Sequence, residues 1–584
     1  MTKKKEILNK DRFDSHFYMP DITVILFAVF ALFVSQSVTG QEVSDNDEIT
    51  VVAPYQPSVE DAFKINISPQ IPDENLEKPS FDYKPLNKTF QYTSELEPIE
   101  AAKIQGESIS KLYKNYIRAG IGNYATPYIE FFANKLRSKK NAFGVHIKHL
   151  SSSGKIKDYG FPGNSNTVVK LSGKKFFNKH TLSSDVFYDR KGVHFYGYKP
   201  SDYPELDLTK KEIKQVFQSV GFTTLLESNY TTDSKVHHYI GLDYAYLFDK
   251  YKTSEHHIDF KFGINRNMEF FKFSETEKLG IDVETDYYLY KDTLSIYNSG
   301  IIKIVPYYTL AFDQYFFKVG FNTSIQNNGS TKVHVYPIVR AEVKVVENYL
   351  ITYAGIAGEL NQNSFASLSN ENPYIISTPD KRFTNNNFSQ YGGVKGRISK
   401  YLDYNLSFVN STMEDMAFFV NDTNSAIAPG LDNQFSVIYD RVKYSRILAE
   451  FGFHHSDKLN LMLRGKYNSY FMDNEDQAWH KPKLEISLHA DYNLQEKILI
   501  RAELFTRSKM FAKLYEPDAA TGDLMVVSEE IKGMTDLNLG FEYRYSKVLS
   551  GFLNLNNILG QRYYQWYNYP SYRFNLLLGI TYSF

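Results

Sequence analysis

The chain has 584 residues, no cysteine, a formal net charge of −1, and 46 Tyr and 44 Phe against 2 Trp. Near-neutrality removes the electrostatic case for nucleic acid or for an anionic membrane surface as partner. The absence of cysteine excludes disulfide staples, thiolate metal sites, cysteine nucleophiles and a lipid-modified N-terminal cysteine.

The first element is apolar. Lys3, Lys4, Lys5, Lys10 and Arg12 precede ITVILFAVFALFV, Ile22 to Val34. This run is shorter than the roughly 20 apolar residues of a spanning helix. Small Val38 and Gly40 follow at the positions a signal peptidase reads, so residues 1–40 read as a secretory signal peptide. No later segment has the length and hydropathy of a transmembrane helix. An exported chain this aromatic is therefore either soluble or crosses a membrane as strands.

Residues 41–114 are punctuated by Pro54, Pro57, Pro69, Pro72, Pro79, Pro85 and Pro98. Proline removes donors and disfavours helix and central strand, which predicts an extended periplasmic segment. Near its end Ile104, Ile109 and Leu112 have helix-like spacing within Ile99–Tyr113, read as a linker or one short helix.

From Tyr116 onward, alternating segments of about ten residues are separated by turns, the pattern of an outer-membrane barrel. HIDFKFGIN sets Ile258, Phe260, Phe262 and Ile264 against His257, Asp259 and Lys261. LNLMLRGKY, KLEISLHADYNL and KILIRAELFTR alternate in the same way. Their polar parity supplies Arg464, Lys466, Lys483, Glu485, Arg501 and Glu503 as candidate lumen residues that would set selectivity. Such segments recur about twenty-two times, and tight connectors alternate with long ones, as an even strand number requires. Two turns break the alternation, near Ser228–Lys235 and Met268–Lys278. The last segment sets Phe574, Leu576, Leu578, Ile580, Tyr582 and Phe584 on one apolar face. The predicted fold is all-β: one antiparallel transmembrane β-barrel over residues 115–584, its apolar parity against outer-membrane lipid.

The ending FLNLNNILGQRYYQWYNYPSYRFNLLLGITYSF resembles that of the TonB-dependent receptor family, through Asn554, Leu555, Asn557, Ile558, Tyr563, Tyr564, Tyr569, Pro570, Arg573, Gly579, Tyr582 and Phe584. The Tyr-, Asn- and Lys-rich composition is similar to that of proteins from the Bacteroidota. A terminal Phe on an alternating strand resembles the signal read by the outer-membrane assembly machinery. DEITVVAP is similar to the TonB box, which implies that Glu48, Ile49, Thr50, Val51, Val52 and Ala53 contact a TonB-type energy transducer. Physically, a β-branched stretch flanked by prolines can add to a partner's sheet edge. The departure is the plug domain, for which the proline-punctuated residues between Pro54 and Tyr116 leave no room. Such a barrel needs something else inside it: the N-terminal segment, inward-folded loops, or a partner.

Little else points to chemistry. The pairs His237/His238, His256/His257 and His454/His455 sit on strands, where neighbours face opposite ways and cannot share a metal. DNED, Asp473 to Asp476, lacks the glycine and spacing of a calcium loop. No nucleophile triad, phosphate loop or paired-carboxylate signature is apparent, so neither an enzyme nor a cofactor is expected. Two functions remain: solute uptake across the outer membrane, or a non-transporting scaffold that docks surface lipoproteins or periplasmic partners.

Overall fold

In the computed structural model the described residues are 114–584, apart from 136–137, 231–234, 423–426, 429 and 518–523. The signal peptide, the stretch Glu48–Ala53 and the segment Ile99–Tyr113 lie outside the described residues.

The first strands are β1 (Asn115–Gly122), β2 (Thr126–Lys135), β3 (Asn141–Ser152), β4 (Asn164–Phe176), β5 (His180–His194) and β6 (Lys214–Ser228). There follow β7 (His237–Asp249), β8 (Ser254–Met268), β9 (Thr276–Lys291), β10 (Ile296–Phe312), β11 (Tyr315–Asn327), β12 (Thr331–Val346) and β13 (Leu350–Gln362). A seven-residue helix, α1 (Phe365–Glu371), precedes β14 (Phe383–Ser399), β15 (Leu402–Asn421), β16 (Phe435–His455) and β17 (Leu459–Met472). The remainder is β18 (Leu484–Leu494), β19 (Ile498–Arg507), β20 (Met510–Pro517), β21 (Leu524–Ile531), β22 (Met534–Arg544), β23 (Leu549–Asn556), β24 (Tyr564–Trp566), β25 (Tyr569–Pro570) and β26 (Asn575–Ser583).

Twenty-two of these strands form one antiparallel sheet, the number the alternating segments predict. β19 pairs with β22 and β23 with β26, leaving β20–β21 and β24–β25 as separate hairpins outside the wall. β26 pairs with β1 and closes the cylinder, so no edge is left to template aggregation. Closure reaches the last residue: Phe584 N–H donates to Asn115 O at 2.9 Å, and Asn115 N–H to Phe584 O at 3.2 Å. The seam is tight for a stated reason. Gly120 and Gly579 face each other across it, and a Cβ at Gly579 would lie 2.5 Å from the Phe552 ring, which lies over the pair. The Arg118 guanidinium stacks on the same ring, 3.9 Å from its centroid.

The register separates two faces. One row runs Val145, Leu171, Val186, Phe222, Tyr244, Ile258, Tyr287 from β3 to β9, all apolar or aromatic. The adjacent row runs Ser172, Asp185, Thr223, Asp243, Asp259, Asp286, all polar. Loops fold onto the polar side, where Glu255 accepts from the backbone of α1, so that side is the lumen. In β26, Leu578 and Ile580 are 55% and 59% exposed, which places the predicted terminal apolar face outside. Phe574 precedes the strand rather than belonging to it. Short connections such as 313–314, 347–349 and 400–401 gather at the end that holds both ends of the barrel. The opposite end carries 153–163, 195–213, 363–382, 422–434, 473–483, 508–533 and 557–574.

Lipid contact makes a direct prediction. Leu171→Arg, in the middle of the apolar row, is expected to cost about 2–4 kcal/mol, whereas Thr223→Arg in the polar row should cost less than about 1 kcal/mol. Urea titration of the barrel refolded into phospholipid vesicles checks both; equal costs would mean that the two faces are misassigned.

Candidate functional site: the lumen and its roof

The lumen wall is polar and largely self-neutralised. Like charges placed opposite one another on paired strands repel, yet Asp243, Asp259 and Asp286 stand in register. Lys261 and His257 engage them: Lys261 Nζ lies 2.9 Å from Asp243 and reaches Asp259, and His257 Nε2 is hydrogen-bonded to Asp286 at 2.9 Å. Lys303 sits 3.1 Å from Glu284 on the next strand. The candidates chosen from sequence occupy the wall at β17–β19 in the same fashion. Arg464 pairs with Glu450 at 3.1 Å, Lys466 with Glu485 at 3.9 Å, and Arg501 with Asp491 at 3.3 Å. His489 lies 3.7 Å from Glu503. Five of the six therefore share one face, each beside an opposite or titratable partner. Lys483 does not join them: it precedes β18 in an exposed bend at the loop end, where its backbone carbonyl accepts from Asn468 N–H at 2.7 Å.

Above this wall the long loops turn inward and meet. Ser364 caps α1, and the helix's first free donors, Phe365 and Ala366 N–H, bond the Glu255 carboxylate at 2.7 and 3.0 Å. Helix N-termini leave such donors unpaired, so a buried carboxylate there satisfies both partners. Phe365 is wholly buried between the rings of Phe217 on β6 and Tyr290 on β9. Beyond the helix, Ser377 takes bonds from Thr253 and Tyr290 to its carbonyl, 2.9 Å each, and its hydroxyl bonds Asp249.

The same loop then crosses to the other side. Glu371 meets Lys481 of the β17–β18 loop at 2.6 Å, and Ile376 N–H bonds Phe435 O on β16 at 2.9 Å. Tyr374 stacks on Tyr569 of the β24–β25 hairpin with ring centroids 3.8 Å apart. The Tyr569 hydroxyl donates to Asn433 O, and Asn433 Nδ2 donates to Phe195 O at 2.7 Å. Tyr196 closes the circuit, donating to Pro570 O at 2.9 Å. Gly197 is required beside it, because a Cβ there would lie 2.3 Å from the Tyr569 ring. Loops after β5, β13, β15, β17 and β23 thus form one aromatic roof, anchored to strands on several sides of the barrel.

His480 is built into the roof in one protonation state. Its Nδ1–H donates to Phe419 O at 2.9 Å, and its Nε2 accepts from Tyr567 N–H at 3.3 Å, between the rings of Phe435 and Trp566. Burial pushes its pKa down to about 4, helped by Lys481 and Arg507. Asp432, also in the roof loops, goes the other way, to about 6, through burial and the neighbouring Asp422 and Glu516. Within DNED, one carboxylate is taken up by contacts of the fold. Glu475 holds Trp479 Nε1 at 2.7 Å and Lys513 Nζ at 2.8 Å. Among the described residues no group of three or more metal-ligating side chains is placed to hold a metal ion. His256 and His257 face opposite sides, as neighbours on a strand must: Tyr244 bonds the first outside and Asp286 the second inside.

Beneath the roof, against β19, β22 and β23, lies a cavity of about 350 Å³. Tyr374, Phe505, Asp536, Asn538, Asn556 and Tyr563 line it. Tyr563 donates to one Asp536 oxygen at 2.8 Å, and Asn557 N–H donates to Asn538 Oδ1 at 2.9 Å. Aromatic faces beside carboxylate and amide oxygens suit a solute that brings hydrogen-bond donors.

No known family's sequence profile matches the chain, and no curated protein matches it in sequence. Solved structures do match in fold. The pyoverdine outer membrane receptor FpvA from Pseudomonas aeruginosa PAO1, bound to pyoverdine, superposes with a TM-score of 0.60 at 12% identity, over 81% of this chain and 78% of that one. The ferric-catecholate import receptor Fiu from K12 E. coli gives 0.58 at 11% identity, over 81% and 82%. The siderophore receptor PirA from Acinetobacter baumannii gives 0.59 at 10% identity, over 81% and 80%. At such identities the likeness establishes a shared barrel fold.

Two predictions follow from the roof. Tyr374→Ala combined with Tyr569→Ala removes the stacked pair at its centre and should raise planar-bilayer conductance well above that of the parent protein; an unchanged conductance would show that the pair seals nothing. The second concerns pH. Neutral His480 costs the closed roof nothing above about pH 6.5, and the cost grows as pH falls toward 4, because the open state takes the proton first. Charged Asp432 strains the closed roof above about pH 6, and that strain is relieved as pH falls toward about 3.9. The two effects oppose each other. Asp432→Asn should therefore open the roof on acidification, and His480→Gln should tighten it. Trp479 and Trp566, the chain's two tryptophans, both lie buried in the roof, so the shift of their emission reads the outcome.

Proposed function

We propose that this chain is an outer-membrane uptake barrel of the TonB-dependent receptor kind, without that family's plug domain and without enzymatic activity. Its signal peptide, residues 1–40, directs export. Residues 41–114 extend into the periplasm and offer Glu48–Ala53 to a TonB-type energy transducer, and the assembly machinery reads the strand that ends in Phe584. The observation that carries this reading is the roof. A barrel of this strand number leaves a wide hole unless something fills it, and here loops of the chain itself converge over a polar, charge-compensated lumen. A solute-sized cavity under the roof gives the passage a place to bind its cargo. The fold shared with siderophore receptors supports the same reading.

The roof also favours a second reading, in which the barrel is sealed and serves as a scaffold for a surface lipoprotein. The two separate experimentally. For uptake, the full-length protein in detergent should co-purify with a periplasmic energy transducer, and deletion of residues 48–53 should remove that partner while leaving a barrel whose gel mobility still changes on boiling. Removing the roof pair should then give conductance. A lipoprotein retained stoichiometrically in both forms, with no conductance from either, would establish the scaffold and overturn uptake.

A further inference from the structure

The connection between β8 and β9, residues 269–275, is long for the end at which it lies, where 313–314 and 400–401 suffice. Its sequence is EFFKFSE, followed closely by Glu277. Glu277 has the parity of Leu279 and Ile281, which lies on the outer face of β9. A carboxylate on that face would meet hydrocarbon or headgroup at considerable cost. Instead it is 1% exposed, because the turn folds over it. Phe270 N–H and Phe271 N–H donate to it at 2.9 and 2.7 Å, Tyr308 Oη donates at 2.8 Å, and the Ser274 hydroxyl adds a fourth bond.

The turn's rings lean the same way. Phe270 lies 6.2 Å from Tyr308 and Phe273 lies 5.2 Å from Phe312, centroid to centroid. Tyr308 and Phe312 belong to the outer parity of β10, with Leu310 between them. The segment therefore lies along the outside of the wall, not across the lumen opening. It leaves Phe270, Phe271 and Phe273 exposed by 60%, 46% and 61%, around exposed Lys272.

We propose that residues 269–275 are a membrane-interface anchor that seats these three phenylalanines in the periplasmic phospholipid leaflet, with Glu277 as the positioning residue that holds the turn in that posture. The occupant follows from continuity. The patch extends the apolar belt of β9–β11, where Leu279, Ile302 and Val319 are exposed and which lipid already covers. Aromatic rings at the edge of such a belt belong at headgroup depth, and a lysine among them can reach lipid phosphate with its ammonium while its stem stays apolar. The turns at 313–314, 347–349 and 400–401 are too short to reach sideways in the same way. It gives the barrel a preferred depth at β8–β10.

This inference rests on the membrane-barrel reading, and its test separates the two. The full-length protein is reconstituted into phosphatidylcholine vesicles carrying brominated acyl chains, as Phe273→Trp, as Leu279→Trp and as the parent. The native tryptophans, buried in the roof, supply the background. Emission from the Phe273→Trp protein should be quenched by bromolipid to an extent similar to that of Leu279→Trp, and iodide added to the water should quench it little. Adding Glu277→Ala to Phe273→Trp should reverse that order, with gel mobility on boiling confirming an intact barrel. Bromolipid quenching at Leu279→Trp alone, with iodide quenching at Phe273→Trp, overturns the anchor and leaves the barrel standing. No bromolipid quenching at either site overturns both. If the Glu277→Ala protein does not fold, the comparison of the two tryptophan sites still decides.

Discussion

The structure depends on one constraint: no backbone donor or acceptor facing hydrocarbon is left without a partner. Water is absent from the bilayer core, so only an uninterrupted ladder can cross it as strands. The bonds between Phe584 and Asn115 are the last rung of that ladder. Everything that keeps β26 against β1 serves the same end, including the paired glycines under Phe552 and the Arg118 guanidinium stacked on that ring. A seam one residue out of register would reverse the facing of every side chain on one strand. The outer row of Leu, Val, Phe and Tyr then follows as a consequence, since the wall has to be apolar wherever the ladder is immersed.

The lumen obeys a different rule. Because it is wet, it tolerates charge, but a cylinder brings like charges from adjacent strands within reach of one another. The alignment of Asp243, Asp259 and Asp286 is workable because Lys261 pairs with the first two and His257 hydrogen-bonds the third. Such compensation makes the wall smooth electrostatically, with few strong binding points along it. The symmetry of the wall is broken in the cavity under the roof, where Asp536, Asn538 and Tyr563 bring polar groups together.

How much of this was legible in the sequence follows from which interactions are local. Alternation is a property of neighbours, so the barrel, its strand number and its two faces could be read from segments such as LNLMLRGKY. The same parity sets Arg464, Lys466, Glu485, Arg501 and Glu503 on one face, whereas Lys483 lies just before β18, where the loop and not the strand period sets its course. The hairpin β20–β21 alternates just as well, with Met510 and Ala512 buried, yet it stands outside the wall. Period alone does not say which sheet a strand joins. The roof was invisible for a stronger reason. Tyr196 meets Tyr569, and Glu255 meets Phe365, across separations that no local pattern encodes. A tyrosine in an exposed loop, a girdle or a packed roof reads identically. Glu277 was hidden differently: its partners are close in sequence, but a glutamate at the outer parity reads as an error in the pattern until the turn above it is seen.

The roof's composition bears on whether it can move. A dry core of Leu and Ile would close the mouth more tightly, but opening it would expose aliphatic surface with nothing to offset the loss. The roof's tyrosines offset part of that loss, because the ring packs like a hydrophobe while its hydroxyl finds a partner in either state, which the Phe, Leu, Ile and Val beside them do not. In the closed roof those hydroxyls donate to backbone carbonyls: Tyr196 to Pro570, Tyr569 to Asn433 and Tyr290 to Ser377. Both ends of each bond accept water equally well once separated, so the net loss per bond is only about 1 kcal/mol. The wall strands lack this freedom, since their rungs face lipid and have no water to replace a partner. The same hydrogen bond is therefore obligatory in the cylinder and exchangeable in the roof, and the reason is a difference in solvent rather than in bond type; what holds the mouth shut is then its apolar packing.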